Sequence, residues 1–281
     1  MDESKKGFLL IIISMLIFGF YGIFIKAIAL SPQVLLFFFQ VFGAIGSLLL
    51  LLHYKMKFSI KGFVLLLLGL AAVALLNDLL YFNAFKLTTI SNSILVHYTA
   101  PIFVAVLAPF LLKEKLERIT IAALMLSFFG LLLILYSSLN INTSWLGILF
   151  ALASGVMYAF MIIAYKKILR HLGVYVVNFY RFVLGTLVLL PFVLIEKPVF
   201  MQADIYWLII FGLVFAILAV SLNIEGIKRV KAQHVGIIGY MEPVAGTLYA
   251  ILLLSEIPTL FTLIGGAFII LGGYLVIRAK D

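Results

Sequence analysis

Residues 98–114 are YTAPIFVAVLAPFLLKE, and residues 240–256 are YMEPVAGTLYAILLLSE. The two stretches share a Tyr-x-x-Pro start, an apolar run and a terminal Glu, and a shift of 142 residues aligns them. The match continues into the next run, where Thr120 and Gly130 align with Thr262 and Gly272. A half-length repeat of this kind predicts a fold built from two similar halves, as in many membrane carriers.

The composition excludes an ordinary soluble domain. The 281 residues are 65% hydrophobic and 11% charged, with a mean hydropathy of +1.28. The net charge of +9 comes from short basic clusters between apolar runs, which suits a membrane surface better than nucleic acid. The absence of cysteine excludes disulfides and thiol nucleophiles. No small-residue cleavage site follows the first run, so we interpret that run as a retained helix and not as a signal peptide.

Ten runs are long enough, at roughly 17–25 residues, to cross a bilayer as helices. They predict an all-α integral membrane protein with short loops. The predicted spans are 8–25, 33–52, 62–84, 91–112, 119–136, 146–165, 174–195, 204–224, 234–254 and 260–277.

Lysine and arginine predict the orientation. With residue 1 inside, sixteen of the twenty fall in cytoplasmic segments, and the outer loops keep only Lys26, Lys86 and Lys197. Cytoplasmic loops carry the excess of positive charge, so we expect both termini in the cytoplasm.

The same pattern predicts that the halves are inverted. Five helices per half is an odd number, so the second half enters the membrane from the opposite side. Lys113-Glu114-Lys115 is then cytoplasmic, whereas its counterpart Ser255-Glu256-Ile257 is external and carries no cation. We expect two inverted five-helix repeats, 1–140 and 141–281, which is the structural basis of alternating access.

Several short motifs accompany this arrangement. They are Tyr240-Met241-Glu242-Pro243-Val244, Phe18-Gly19-Phe20 with Tyr158-Ala159-Phe160, Arg181-Phe182, and Leu-Leu-x-Glu ending at Glu114 and Glu256. With these features the chain resembles the EamA-like family of the drug/metabolite transporter superfamily. The resemblance implies a secondary transporter, commonly an exporter, whose cargo varies among members from amino acids, sugars and cofactors to choline-like cations and drugs. One departure is Gln40, which stands where the family has an arginine.

Asn77 and Asp78 lie in the middle of the third apolar run, with Tyr81 on the same helical face. An ionised side chain at this depth is expensive, about 3 kcal/mol on insertion scales, and usually faces a cavity or a partner. Asp78 is interpreted as a residue that binds a cationic group or carries a proton. A structural hydrogen bond to a neighbouring helix is the alternative.

Two prolines predict openings in the fourth and ninth helices. Proline frees the carbonyl four residues earlier, so Pro101 and Pro243 are candidate hinges. Glu242 beside Pro243 would bind a substrate ammonium or a proton, or serve a general conformational role. His97, four residues before Pro101, would pass protons or be a neutral residue satisfied by a neighbour.

Arg181 is the one lysine or arginine that falls within the predicted spans. It would pair with Asp78 or Glu242, hold a substrate carboxylate in its fork, or extend to the interface. Gln40 is its counterpart in the first half.

Four tyrosines lie in corresponding helices of the two halves. Aromatic walls suit cationic or amphiphilic cargo through cation–π contact, and ordinary helix packing is the alternative. The four are Tyr21, Tyr98, Tyr158 and Tyr240.

Other residues receive structural interpretations. Glu114 and Glu256 are expected to anchor helix ends, and His234 to lie at the cytoplasmic interface. Small residues predict close helix contacts. These are Ala151-x-x-x-Gly155-x-x-x-Ala159, Gly246-x-x-x-Ala250 and Gly272-Gly273, the last of which would serve a dimer contact or pack within the chain.

The residues therefore favour a carrier with a midplane cavity. Asp78, Glu242 and Arg181 offer charges of both signs, which together with the family resemblance favours amino acids or related zwitterions. The alternative cargo is an organic cation or drug-like amphiphile, and protons are a candidate coupling ion. Hydrolase, metal and phosphate-binding motifs are absent from the sequence, and an inverted repeat within one chain favours a carrier over a channel. No cofactor, metal or nucleic-acid partner is expected, and the sequence leaves monomer and homodimer open.

Overall fold

The computed structural model describes residues 2–136, 144–254 and 259–278. Within those ranges the regular secondary structure is helical. The helices are α1 Glu3–Phe18, α2 Tyr21–Ala27, α3 Pro32–His53, α4 Val64–Leu87, α5 Ile90–His97, α6 Ala100–Leu112, α7 Arg118–Tyr136, α8 Trp145–Ile168, α9 Val174–Glu196, α10 Gln202–Phe211, a π-helix Gly212–Ala219, α11 Val220–Arg229, α12 Ala232–Gly239, α13 Met241–Leu254 and α14 Leu260–Arg278.

Eight helical segments among the described residues are long and apolar enough to cross a membrane. They are Glu3–Ala27, Pro32–His53, Val64–Leu87, Asn92–Leu112, Trp145–Ile168, Val174–Glu196, Asp204–Arg229 and Leu260–Arg278. A shorter apolar helix, Arg118–Ile134, falls on the fifth predicted span, and the ninth predicted span is divided into α12 and α13. The all-helical prediction is confirmed, and the count of ten spans stays a prediction.

Two helices end four residues before a proline, at the carbonyl whose hydrogen bond the proline ring removes. The helix α5 ends at His97, four residues before Pro101, and α12 ends at Gly239, four residues before Pro243. A third break, at Gly19 and Phe20, divides the predicted span 8–25 into α1 and α2. A Cβ at Gly19 would lie 2.8 Å from the Cβ of Ala245. The backbone therefore approaches α13 closely at this break, and such a long-range contact leaves no periodicity in the sequence.

Helices from the first half pack against helices from the second. The main pairs are α1 with α11, α3 with α9, α4 with α8, and α7 with α14. Glycines permit close approach, since a Cβ at Gly155 would lie 2.5 Å from the His97 carbonyl oxygen. The suggestion that Gly272 serves a dimer is corrected, because a Cβ there would lie 2.0 Å from Ser127 Oγ of α7. Gly272 is a packing residue within one chain.

Candidate functional site

A small cavity lies between the two halves, near the middle of the helices. Its volume is about 80 Å³. Its wall comes from α1, α2, α3, α4, α8, α9, α11, α13 and the break between α5 and α6. The lining residues are Met15, Phe18, Tyr21, Phe39, Asn77, Asp78, Tyr81, His97, Tyr98, Tyr158, Met161, Tyr165, Arg181, Val220, Asn223, Ile224 and Glu242.

The cavity contains a buried ion pair. Arg181 Nη2 donates to Asp78 Oδ2 at 2.6 Å, which joins α9 of the second half to α4 of the first. Asn77 Nδ2 donates to the other Asp78 oxygen at 2.9 Å, and Arg181 Nη1 donates to the Tyr165 hydroxyl at 3.1 Å. Arg181 therefore does not extend to the interface. It is nearly fully buried, and its Nε has no hydrogen-bond partner among the described residues.

A second carboxylate lies apart from this pair. Tyr98 donates its hydroxyl proton to Glu242 Oε2 at 2.8 Å, across the boundary between the halves. Tyr81 lies close enough to interact with the same carboxylate, although its hydroxyl has no well-formed hydrogen bond within the described part of the chain. No described cation forms an ion pair with Glu242. Glu242 is therefore the carboxylate with the greatest remaining capacity for a cationic ligand.

His97 is held by a neighbouring helix. Its Nδ1 lies 2.8 Å from Ser154 Oγ, and the Ser154 hydroxyl donates to the Ala151 carbonyl at 2.7 Å. Because that hydroxyl proton is already used, we assign the bonding proton to Nδ1 of His97. The ring also stacks on Tyr81, with centroids 4.0 Å apart. The interpretation of a neutral histidine satisfied by a neighbour fits these contacts.

An aromatic cluster packs behind the cavity wall at Tyr21 and Phe39. The Tyr21 ring stacks on Phe211 at 5.6 Å and meets Phe82 edge-on at 5.5 Å. Phe39 connects the same cluster to Phe182 at 6.0 Å. These rings belong to α2, α3, α4, α9 and α10, so both halves contribute to the cluster.

Polar contacts close the end that holds the start of α1. Arg229 of α11 bonds Glu3 at 2.8 Å and also pairs with Glu225. Lys231 pairs with Glu117 at 3.0 Å, and Lys166 Nζ donates to the Val230 carbonyl at 2.7 Å. The connection between α11 and α12 is thus fastened to α1, α8 and the segment before α7.

Glu114 has the anchoring role predicted for it. Its carboxylate accepts the Ala232 amide of α12 at 2.9 Å, and burial raises the pKa of this carboxyl above its ordinary value. The repeat counterpart Glu256 lies outside the described residues. His234 is fully buried and stacks on Phe8 at 6.0 Å, so its ring packs inside the protein, and its expected depth near the cytoplasmic interface stays a prediction.

Nine of the eleven predicted binding residues line the cavity. The two others are Gln40, which lies beside Asp78 behind the wall, and Tyr240, which is fully buried outside it. Sequence reasoning missed Tyr165 and Asn223. Asn223 is an amide within an apolar run, the kind of signal that identified Asn77, and it donates to Ser14 Oγ at 3.1 Å. Met15 and Met161 also line the cavity, but a methionine in an apolar run does not distinguish itself from its neighbours in the sequence.

The described residues contain no group of three His, Asp or Glu side chains arranged to hold a metal ion.

Comparison with protein families matches the model for the EamA-like transporter family at residues 5–136 and again at residues 145–278. The chain belongs to the EamA-like transporter family. With eight helices among the described residues that are long and apolar enough to span a bilayer, it is a multi-pass membrane transporter of the cytoplasmic membrane.

Individual relatives agree with this membership. An uncharacterized transporter of Archaeoglobus fulgidus is 33% identical over 73% of this chain and 74% of the relative. An uncharacterized transporter of Clostridium kluyveri is 26% identical over 96% of this chain and 93% of the relative. The pseudopaline exporter CntI of Pseudomonas aeruginosa is 26% identical over 100% and 99%. A crystal structure with 18% identity superposes with a TM-score of 0.83, covering 96% of this chain and 97% of that one, and this supports the fold alone. The family and the relatives' names indicate a transporter rather than an enzyme.

Proposed function

We propose that this transporter moves an amino acid or a related zwitterion across the cytoplasmic membrane by alternating access. The observation that carries the proposal is the charge arrangement of the cavity. It holds one cation, Arg181, and two carboxylates, Asp78 and Glu242, in a site shared by both halves. A zwitterion presents one charge of each sign, which this arrangement complements.

The two carboxylates have different roles in this proposal. Asp78 is paired with Arg181, so it fixes the guanidinium and keeps it charged in the membrane interior. The Nε of Arg181 is buried without a partner among the described residues, and it would donate to a substrate carboxylate once wall side chains move. Glu242 accepts only hydroxyl protons within the described residues and is available to an ammonium group. Tyr81, Tyr98 and Tyr158 surround that position and suit a cation.

The alternative cargo is an organic cation or drug-like amphiphile. It is favoured by the excess of carboxylates over cations and by the tyrosines of the wall. A cation of this kind would use Glu242 and the aromatic rings without engaging Arg181.

We further propose ten spans in two inverted repeats, 1–140 and 141–281, with both termini in the cytoplasm. The two separate family matches and the packing of each half against the other support this arrangement. Export is the proposed direction, because one relative is named an exporter. Proton coupling through Glu242 and a monomeric or homodimeric state belong to the same set of proposals.

Flux into proteoliposomes tests the cargo. The purified protein is assayed with zwitterionic amino acids, choline and monocarboxylates, at matched and opposed pH gradients. Saturable flux of a zwitterion that disappears in Asp78→Asn is expected. The matched control is Asp204→Asn, because Asp204 is also buried but caps α10 through the Met201 amide, away from the cavity.

The other results separate the alternatives. Flux of choline alone would replace the zwitterion by the organic cation. Equal loss in both Asn variants would point to general damage and not to a substrate site. Downhill flux that ignores the pH gradient would remove the proton from the proposal.

A further inference from the structure

A hydrogen bond joins the first proline-marked break to α13, directly beside the second. Tyr98 lies between α5 and α6, and Glu242 is the second residue of α13, directly after the break at Tyr240. The two side chains meet at 2.8 Å, and both are more than nine-tenths buried. This bond therefore connects the discontinuous helices of the two halves at the wall of the cavity.

The surrounding backbone is shaped for this contact. A Cβ at Gly239 would lie 3.1 Å from the Tyr98 ring, and a Cβ at Gly236 would lie 3.1 Å from Pro101 Cα. The corresponding positions of the first half are His97 and Ile94. One break thus supplies side chains, and the other supplies the space that receives them.

The cavity leaves little free space in this conformation, about 80 Å³. An engineered cavity of about 150 Å³ in another protein is large enough to bind benzene. A bulky amino acid therefore needs wall side chains to move before it can occupy the site. Tyr98 is the wall residue that holds the carboxylate to which an ammonium group would bind.

We propose that the Tyr98 hydroxyl is the internal competitor of the substrate's ammonium group at Glu242. This inference rests on the proposed function and names the contact that its substrate replaces. When an ammonium displaces the Tyr98 hydroxyl from Glu242 Oε2, Tyr98 loses its acceptor, and the break between α5 and α6 is released from α13. Substrate occupancy then loosens the contact between the halves. Tyr98 is a positioning residue that couples substrate binding at Glu242 to opening of the cavity.

The repeat provides a matched control for Tyr98. Tyr240 occupies the corresponding position and is also fully buried, but its hydroxyl has no hydrogen-bond partner among the described residues and lies outside the cavity wall. Tyr98→Phe and Tyr240→Phe therefore remove the same atom from equivalent places, and only the first removes the link.

Cysteine labelling measures the opening. The chain contains no cysteine, so Ile224→Cys in the cavity wall is a single reporter for a maleimide in detergent. Loss of a hydrogen bond to a charged group shifts an equilibrium by about tenfold or more. We expect about a tenfold faster labelling with Tyr98→Phe and an unchanged rate with Tyr240→Phe. Glu242→Gln, which weakens the same link from the other side, is expected to accelerate labelling as well.

Methylammonium chloride probes the competition. It is expected to accelerate labelling of the reporter protein and to have no further effect after Tyr98→Phe. Equal rates in all variants, or equal acceleration by both Phe substitutions, would overturn the proposal, as would slower labelling with methylammonium. Monodisperse elution of each variant shows that it has folded. The comparison without solute is independent of the cargo, so its failure is distinguishable from a failure of the zwitterion assay.

Discussion

The two proline-marked breaks share a backbone device and differ in chemistry. Each helix stops four residues before its proline, and each break carries a tyrosine, Tyr98 in one half and Tyr240 in the other. Only Tyr98 reaches a carboxylate. The break in the second half has Gly239 where the first has His97, and that glycine receives the Tyr98 ring.

This difference distinguishes the features that the two halves share from those that each half has alone. The shared features are those that interrupt a helix, and the proline four residues after each helix end is one of them. Proline alone is not sufficient, because Pro109 lies within α6 and Pro191 within α9. The unequal features are the polar side chains, which meet at one cavity and cannot be duplicated there without placing like charges together. Asp78 aligns with Val220 at the shift of 142 residues, and Arg181 aligns with Gln40 at a shift of 141. Making the halves alike by substitution therefore tests which differences matter.

The largest effect is expected at the buried ion pair. Asp78→Val and Arg181→Gln each copy the residue of the other half and leave one buried charge unpaired. Each is expected to lower the free energy of unfolding by about 3–5 kcal/mol, whereas the double variant loses far less. Thermal unfolding in detergent measures the coupling. Additive losses would show that the two residues do not depend on each other, and the double variant is expected to be inactive in flux.

The second-largest effect is expected at the close contact between Gly155 and the His97 backbone, beside the first break. Gly155→Ala places a methyl group against the His97 carbonyl and is expected to cost about 1–3 kcal/mol, because that backbone cannot move aside easily. Gly69→Ala is the control, since nothing lies within 4 Å of a Cβ there. Equal unfolding temperatures for the two variants would contradict the contact.

The two helices that lead into the breaks, α5 and α12, are capped differently at their starts. Thr89 Oγ1 accepts the Asn92 amide of α5 at 3.1 Å, whereas α12 receives the Glu114 carboxylate from a distant segment. Thr89→Ala and Glu114→Ala are each expected to cost about 1 kcal/mol in unfolding free energy. Only Glu114→Ala should speed hydrogen exchange of the Ala232 amide, which mass spectrometry on peptides resolves. Glu114→Gln, which keeps an acceptor oxygen, should retain more of the protection.

The smallest effect is expected at Tyr240. Its buried hydroxyl lacks a partner among the described residues, so Tyr240→Phe removes a desolvated polar group and keeps the ring. The unfolding temperature should be unchanged or slightly higher. A clear loss of stability would reveal a hydroxyl contact and weaken the contrast with Tyr98.

The proline positions, the apolar runs and the mid-membrane charges lie in local sequence. The all-helical fold, both proline-associated breaks and nine of the wall residues followed from them. These features are readable because a lipid environment requires long apolar helices, and because an ionisable group within one is rare enough to indicate a site.

Tertiary packing decided which polar groups are partners. The sequence allowed three interpretations of Arg181. The packing of α4 against α9 places Asp78 beside it, so Asp78 is its ion-pair partner. The break at Gly19, the burial of His234 and the Tyr98–Glu242 bond depend likewise on contacts between distant segments. The sequence by itself determined where helices run and which residues are too costly to leave without a role. Only the packed structure determined partners, because hydrogen bonds of a few ångströms depend on how two distant helices approach each other.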